Sequence, residues 1–427
     1  KTHAPLAARA VFNREETHQR WIQIIKGYEV SLDEMNRMIA HFEREMTNGL
    51  ASENSDSTLP MIPTFVGRAT GKEHGKFYAL DLGGTNFRVI SVELQGDGII
   101  GAQRSLSFTI GDFEMNGTSD DLFKFIASKV NTFMVDEEKD TQKNIGFTFS
   151  FPVKQLDVAS GTLIGWTKGF TTSGVEGKDV VALAQDQIDQ SVENTTIKAL
   201  ANDTVGTMVA ATYEDPDVYI GLILGTGTNA AYIEKVSEIK KFNTKTDLKE
   251  MAVNIEWGAF GDNKELYPRM RADIEIDQHS PNPGKQWFEK MISGMYLGEI
   301  ARRTIIQCIE VGALFDGSYG NNRIREPGNL KTKYVSSMVL DSSATLQHVA
   351  LLMHKKFGFV ATLRDKERVK QICKIVFRRA ARFTAAGIAA VVRRIGKPKC
   401  TVAIDGSVYE KNPYSFRVYL RQALAEL

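Results

Sequence analysis

Residues 80–94, LDLGGTNFRVISVEL, place a Gly-Gly pair between two strand-like runs. The residues after the glycines decide the kind of turn. Ile90, Val92 and Leu94 alternate with Ser91 and Glu93, the two-residue period of a half-buried strand. A dinucleotide-binding loop needs GxGxxG with a helix opening at its last glycine, so that the helix N-terminus meets the pyrophosphate. Here a strand comes next, which excludes that fold. No GxxxxGK[ST] run occurs, so a Walker-type loop is excluded as well. Two readings remain. One is a tight hairpin, for which the backbone freedom of glycine suffices. The other is a hairpin whose turn N–H groups also form a nest for anionic oxygen.

A second copy favours the nest. Residues 223–233, ILGTGTNAAYI, again give a strand, a glycine turn ending in Gly-Thr-Asn, and a strand. Gly84-Thr85-Asn86 aligns with Gly227-Thr228-Asn229, about one domain length further on. A looser third version, VAIDGSVYE, spans 402–410. Two such nests on two halves of a chain suggest a phosphate chain clamped between lobes.

The chain has 427 residues, of which 42% are hydrophobic, enough for two cores because single cores stop growing at roughly 250–300 residues. Basic and acidic residues balance to a net charge of +1, which argues against nucleic acid or an anionic membrane surface as a partner. Three scattered cysteines make neither a disulfide framework nor a zinc cluster, and the seven histidines show no metal-ligand spacing. No apolar run reaches the ~18 residues of a membrane span. The expected compartment is the cytoplasm, with an organelle left open because the sequence starts at Lys1 rather than Met. A homo-oligomer is compatible with the sequence but has no readable signature in it.

Strands alternating with helices predict an α/β protein. Residues 31–46 read as an amphipathic helix opened by a Ser31/Glu34 capping box. The polar, proline-containing stretch 51–64 reads as a linker. Strands are expected at 77–82, 87–94 and across GFTFSFPV, and helices over 119–135, 285–313 and 365–394. Between 197 and 233 the pattern is strand, loop, helix, strand, turn, strand.

Eight stretches, in this order, resemble the hexokinase family: LDLGGTNFRV, GFTFSFP, WTKGF, NDTVGT, GTGTNA, IEWGAFGD, EKMISGMYLGE and IDGSVYE. The resemblance runs from about residue 60 to the end. It implies the two-lobed, actin-like ATPase fold built from duplicated ribonuclease H-like domains. The lobes would comprise 66–205 (smaller), and 1–65 with 206–427 (larger). It also implies ATP-dependent phosphorylation of glucose and other hexoses at the 6-hydroxyl, with Mg²⁺. Asp203 alone could be a helix N-cap carboxylate, and the resemblance matches it to the catalytic aspartate. Lys168 is implied as a catalytic and sugar-contacting cation. Ser150, Phe151, Pro152, Thr167, Asn202, Glu256, Gln286 and Glu289 are implied at the sugar, with Pro152 and Trp166 shaping the wall. Asp81, Gly83, Gly84, Thr85, Asn86, Arg88, Gly227, Thr228, Thr332, Asp405, Gly406 and Ser407 are implied on the nucleotide side. Asp81 would reach Mg²⁺ through water, and Arg88 would meet either phosphate or a carboxylate. Family members continue past the helix YSFRVYLRQALAEL with a strand, a glycine turn near the adenine and a helix. The expectation is a longer natural chain rather than a reduced nucleotide pocket. The rival class is a sugar-sensing homologue that binds hexose without turnover.

Overall fold

The computed structural model describes residues 13–135, 137, 141–166, 169–262, 264–412 and 414–427. The chain opens with helices α1 (Arg14–Lys26) and α2 (Leu32–Ala51), and the Ser31/Glu34 capping box starts α2 as expected. Met35, Met38, Ile39, Phe42 and Met46 line one face of α2 and are buried, whereas Leu32 at its start is exposed. The stretch read as a linker is a packed strap. Glu45 accepts from the Ser57 hydroxyl and from the N–H and hydroxyl of Thr58. Leu59 and Met61 are buried, and β1 (Ile62–Pro63) pairs antiparallel with Val253–Asn254. Polar composition hid this, because the strap binds through its serine and threonine groups.

Next come β2 (His74–Leu82), β3 (Asn86–Gln95) and β4 (Ile100–Thr109), followed by α3 (Asp112–Asn116) and α4 (Ser119–Met134). β5 (Lys143–Phe149), the β6 (Val153–Asp157) and β7 (Ser160–Leu163) hairpin, α5 (Val180–Ile188) and β8 (Thr195–Ala201) complete this half. β4 carried no signal in the sequence. It is an edge strand with no buried residue, so IGAQRSLSFT lacks an apolar face. The sheet order is β4-β3-β2-β5-β8, antiparallel through β2 and parallel from β2 to β8.

The chain then crosses on α6 (Asp203–Glu214) to β9 (Val218–Leu224), β10 (Thr228–Lys235) and β11 (Glu250–Asn254). Helices α7 (Arg271–Gln278), α8 (Trp287–Ile292), α9 (Gly294–Glu310), α10 (Thr332–Leu340), α11 (Gln347–Phe357) and α12 (Leu363–Ile395) come after them. β12 (Thr401–Asp405), α13 (Ser407–Glu410) and α14 (Phe416–Glu426) close the described chain. The second sheet runs β1-β11-β10-β9-β12, with β11, β10 and β9 antiparallel and β12 parallel to β9. The antiparallel meander plus parallel neighbour of the first half is thus repeated, giving the two-lobed, duplicated α/β fold. One apolar core draws on residues between Tyr78 and Leu200, and the other on Trp21–Met61 together with Val205–Ala423. The run 285–313 is not one helix. It breaks at Ser293 because the N–H groups of Gly294 and Met295 go to the carbonyls of Gly225 and Thr226. The third glycine stretch differs too, since a helix and not a strand comes after Gly406.

α6 lies flat on β9 because Gly221 has no side chain. A Cβ there would meet the Thr204 carbonyl at 2.5 Å and Met208 Cβ at 2.6 Å. Gly221→Ala is therefore expected to cost about 1–3 kcal/mol by overpacking. A urea titration should show a lower midpoint with an unchanged slope; an unchanged midpoint would contradict the close packing.

Candidate active site

Because β2, β5 and β8 are parallel neighbours, their carboxyl ends lie side by side, where ligands gather in α/β sheets. Gly83–Asn86 leave β2, Ser150–Pro152 leave β5, and Asn202–Asp203 leave β8. The Ser150 N–H donates to the Leu82 carbonyl at 3.2 Å, holding Ser150 against the first glycine turn. That turn closes on Gly83 N–H to Asn86 O at 3.0 Å, and Thr85 O accepts from Ile110 N–H. Asp81 and Arg88 face each other across β2 and β3, and Arg88 Nε and Nη2 reach Asp81 Oδ2 at 2.9 and 2.7 Å. Of the two partners expected for Arg88, the carboxylate is the one it holds here. Phe151 meets Trp166 (4.8 Å between ring centroids) and Phe170 (4.9 Å) edge to face, and Pro152 O accepts from Ile164 N–H. Thr167 and Lys168, between those rings in sequence, lie outside the described residues.

Asp203 is the first residue of α6, and Asn202 is its N-cap. Asn202 Oδ1 accepts from Thr204 N–H at 2.9 Å. Asp203 Oδ1 also reaches that N–H at 2.9 Å, leaving its Oδ2 outside these contacts. Asn202 Oδ1 further accepts from Asn229 Nδ2 at 3.3 Å. Asn229 Nδ2 also donates to Asn254 Oδ1 at 2.7 Å and Glu256 Oε1 at 3.1 Å, and Asn254 Nδ2 donates to Glu256 Oε1 at 2.8 Å. Asn229 and Asn254 are buried. In the sequence Asn229 served only to align the two turns, and Asn254 was missed. The signal available was the Asn at the end of Gly-Thr-Asn, whose first copy, Asn86, is exposed and turns its side-chain amide to its neighbour Thr85. A crevice lined by Thr64, Phe151, Gln155, Asn202 and Asn254 joins the two halves behind this network.

Two residues of the expected sugar grip are strained. Glu256 (φ 53°, ψ 49°) and Gln286 (φ 56°, ψ 41°) occupy the left-handed region, which disfavours any side chain. Glycine makes room for Gln286: a Cβ on Gly258 would lie 2.3 Å from Gln286 Oε1 and 3.2 Å from Glu289 Cβ. Glu289 Oε2 accepts from the Thr228 N–H at 3.0 Å, and a Cβ on Gly227 would fall 2.6 Å from it. The Thr228 hydroxyl donates to Ile223 O and accepts from Trp257 Nε1–H, so the polar atoms of Thr228 are engaged within the lobe. Burial, reinforced by the Glu289 charge, pushes the Tyr296 phenol up to about 12.

The remaining nucleotide-side residues converge on the second glycine turn. β12 is parallel to β9, so Asp405–Gly406 emerge beside Leu224–Gly225. Gly406 (φ 112°) packs so tightly that a Cβ would come 2.5 Å from the Leu224 carbonyl carbon and 2.7 Å from Gly225 N. Its N–H donates to Asp405 Oδ1, and Ser407 opens α13 directly after it. Thr332 Oγ1 donates to Gly294 O and accepts from Gly298 N–H, tying α10 to the segment that contacts Gly225. Gly225, Gly406, Gly294 and Thr332 therefore form one backbone-lined cradle.

Comparison with known proteins points one way. Two family models, both described as hexokinase, match residues 21–213 and 219–427. Hexokinase-1 of Schizosaccharomyces pombe is 37% identical over 412 residues, covering 95% of this chain and 84% of its own length. The hexokinase of Schistosoma mansoni is 38% identical over 408 residues, covering 94% and 90%. A solved structure of hexokinase from Schistosoma mansoni complexed with glucose shares the fold with a TM-score of 0.86 at 36% identity, over 97% of this chain and 94% of that one.

The strain at Gln286 can be measured. A left-handed residue costs ~1–2 kcal/mol, and the extra chain entropy of glycine takes back ~0.5–1 kcal/mol. Gln286→Gly is therefore expected to raise stability by up to about 1.5 kcal/mol. A drop in the denaturation midpoint would show that Gln286 side-chain contacts outweigh the backbone strain.

Proposed function

The chain belongs to the hexokinase family, and on that premise we propose that it transfers the γ-phosphoryl group of ATP to the 6-hydroxyl of glucose and related hexoses. The observation that carries this reading is the meeting of Asp203 with the Asn202–Asn229–Asn254–Glu256 network at the crossing between the two halves. Each ring hydroxyl both donates and accepts, so amides and carboxylates are its natural partners. Ser150 and Asn202 would grip the sugar from one side, with Thr167 and Lys168 added by family resemblance. Asn229, Glu256, Gln286 and Glu289 would grip it from the other.

Asp203 acts as general base. Its carboxylate takes the hydroxyl proton as the sugar oxygen attacks the γ-phosphorus and the bond to the ADP oxygen breaks. Asn202 shares the Thr204 N–H with Asp203 Oδ1, and the second oxygen of Asp203 would face the hydroxyl. Bound ATP with Mg²⁺ supplies the phosphoryl group and neutralises its charge. Gly83–Asn86 and Gly225–Gly227 with Asp405–Ser407 would hold the phosphates through backbone N–H groups. Asp81 already pairs with Arg88, and no cluster of three or more carboxylate, His or Cys side chains among the described residues could hold a metal alone. Asp81 would contact such an ion through water, with the direct ligands coming from the nucleotide. The lobes 66–205 and 1–65 with 206–427 would close on the sugar and exclude water, the competing acceptor.

Glucose with Mg-ATP should yield sugar-dependent ADP in a coupled assay; no such ADP from the wild-type protein would end the enzyme reading. Asp203→Ala should lower kcat by ~10²–10⁴-fold or more, while glucose still quenches or enhances tryptophan fluorescence. Glucose binding without turnover in both forms would instead favour the sugar-sensing class.

A further inference from the structure

Asp262 is buried 24 residues before Gln286 in sequence and touches it in space. Its Oδ2 accepts the Gln286 N–H at 2.9 Å and its Oδ1 accepts the Trp287 N–H at 3.0 Å. These are the first N–H groups of α8, which have no partner inside the helix. The two bonds bracket Gln286, the non-glycine residue of this segment held at positive φ. The same turn is braced from its other side. The Arg269 guanidinium stacks on the Trp287 ring at 3.9 Å and donates to the carbonyls of Gly261 and Lys264. A second buried carboxylate, Asp277, fixes the loop before α8 by accepting from Gly284 N–H and the Lys290 ammonium. Asp277 anchors the loop body, whereas only Asp262 holds the N–H of Gln286 itself.

We propose that Asp262 is a positioning residue for sugar recognition: its carboxylate clamps Gln286 in the left-handed conformation and so aims the Gln286 amide and the Glu289 carboxylate at the substrate. This rests on the hexokinase reading above and deepens it. Asp262 does not touch the sugar. Burial pushes its carboxyl above the ordinary value, against the pull of the two N–H bonds and of Lys285 and Lys290, so the ionised clamp is costly to keep. A residue with only a packing role has no need of that charge. Relaxation of Gln286 toward right-handed backbone would rotate the first turn of α8, and Glu289 lies on that turn.

Asp262→Asn leaves one oxygen and puts an NH₂ against the other N–H, which then stays buried and unpaired. The expected result is a rise of about tenfold or more in the KM for glucose, with kcat changed by less than about threefold. In a Gln286→Gly background, where left-handed backbone is free of strain, adding Asp262→Asn should raise that KM by less than about twofold. Full multiplication of the two effects would overturn the clamp, as would an unchanged KM in folded Asp262→Asn. If Asp262→Asn alone does not fold, recovery of folded protein in the double variant supports the clamp and its failure refutes it. Wild-type protein inactive on glucose sinks the hexokinase reading; active wild type with an indifferent Asp262 sinks only this inference.

Discussion

One amide oxygen joins the two halves of this molecule at the place where chemistry is proposed. Asn202 Oδ1 accepts from the Thr204 backbone and from the Asn229 side chain. The first bond starts α6 and the second carries the polar network into the other sheet. Removing the first would leave the Thr204 N–H to Asp203 alone, the carboxylate proposed to face a hydroxyl. Removing the second would leave Asn229, buried among Asn254 and Glu256, with a poorer set of partners. The start of α6 and the amide–carboxylate network are thus tied to the same atom.

Around that atom the fold repeatedly trades side-chain volume for proximity. Gly221 lets β9 touch α6, Gly227 and Gly258 admit Glu289 and Gln286, and Gly406 brings the third glycine turn onto the second. The strained residue Gln286 stands at one of these gaps, beside Gly258. Together these glycines pack carboxylates and amides from four chain segments into a volume that ordinary side chains would fill.

Much of this was legible in the sequence because it is local. Both hairpins, the strand–helix crossing at 197–214, the capping box of α2 and the final strand all derive from period and turn chemistry within ten or so residues. Hexokinase membership was legible from ordered motifs. The features that escaped depend on contacts distant in sequence. Asn229 resembled Asn86, yet one is a buried network residue and the other an exposed turn residue, and only the sheet in which each sits distinguishes them. The break at Ser293 is dictated by carbonyls almost seventy positions earlier, at Gly225 and Thr226. The strap at 51–64 read as a linker because Glu45 and Lys264, which receive it, lie outside it.

The two cores are also assembled on different schedules. One uses a continuous stretch between Tyr78 and Leu200; the other needs α2 near one end of the chain to meet α12 near the other. During synthesis at ~5–20 residues per second, the apolar face of α2, with Met35, Ile39 and Phe42, waits on the order of tens of seconds for α12. Over that interval the smaller core can close while the larger one exposes greasy surface to the cell.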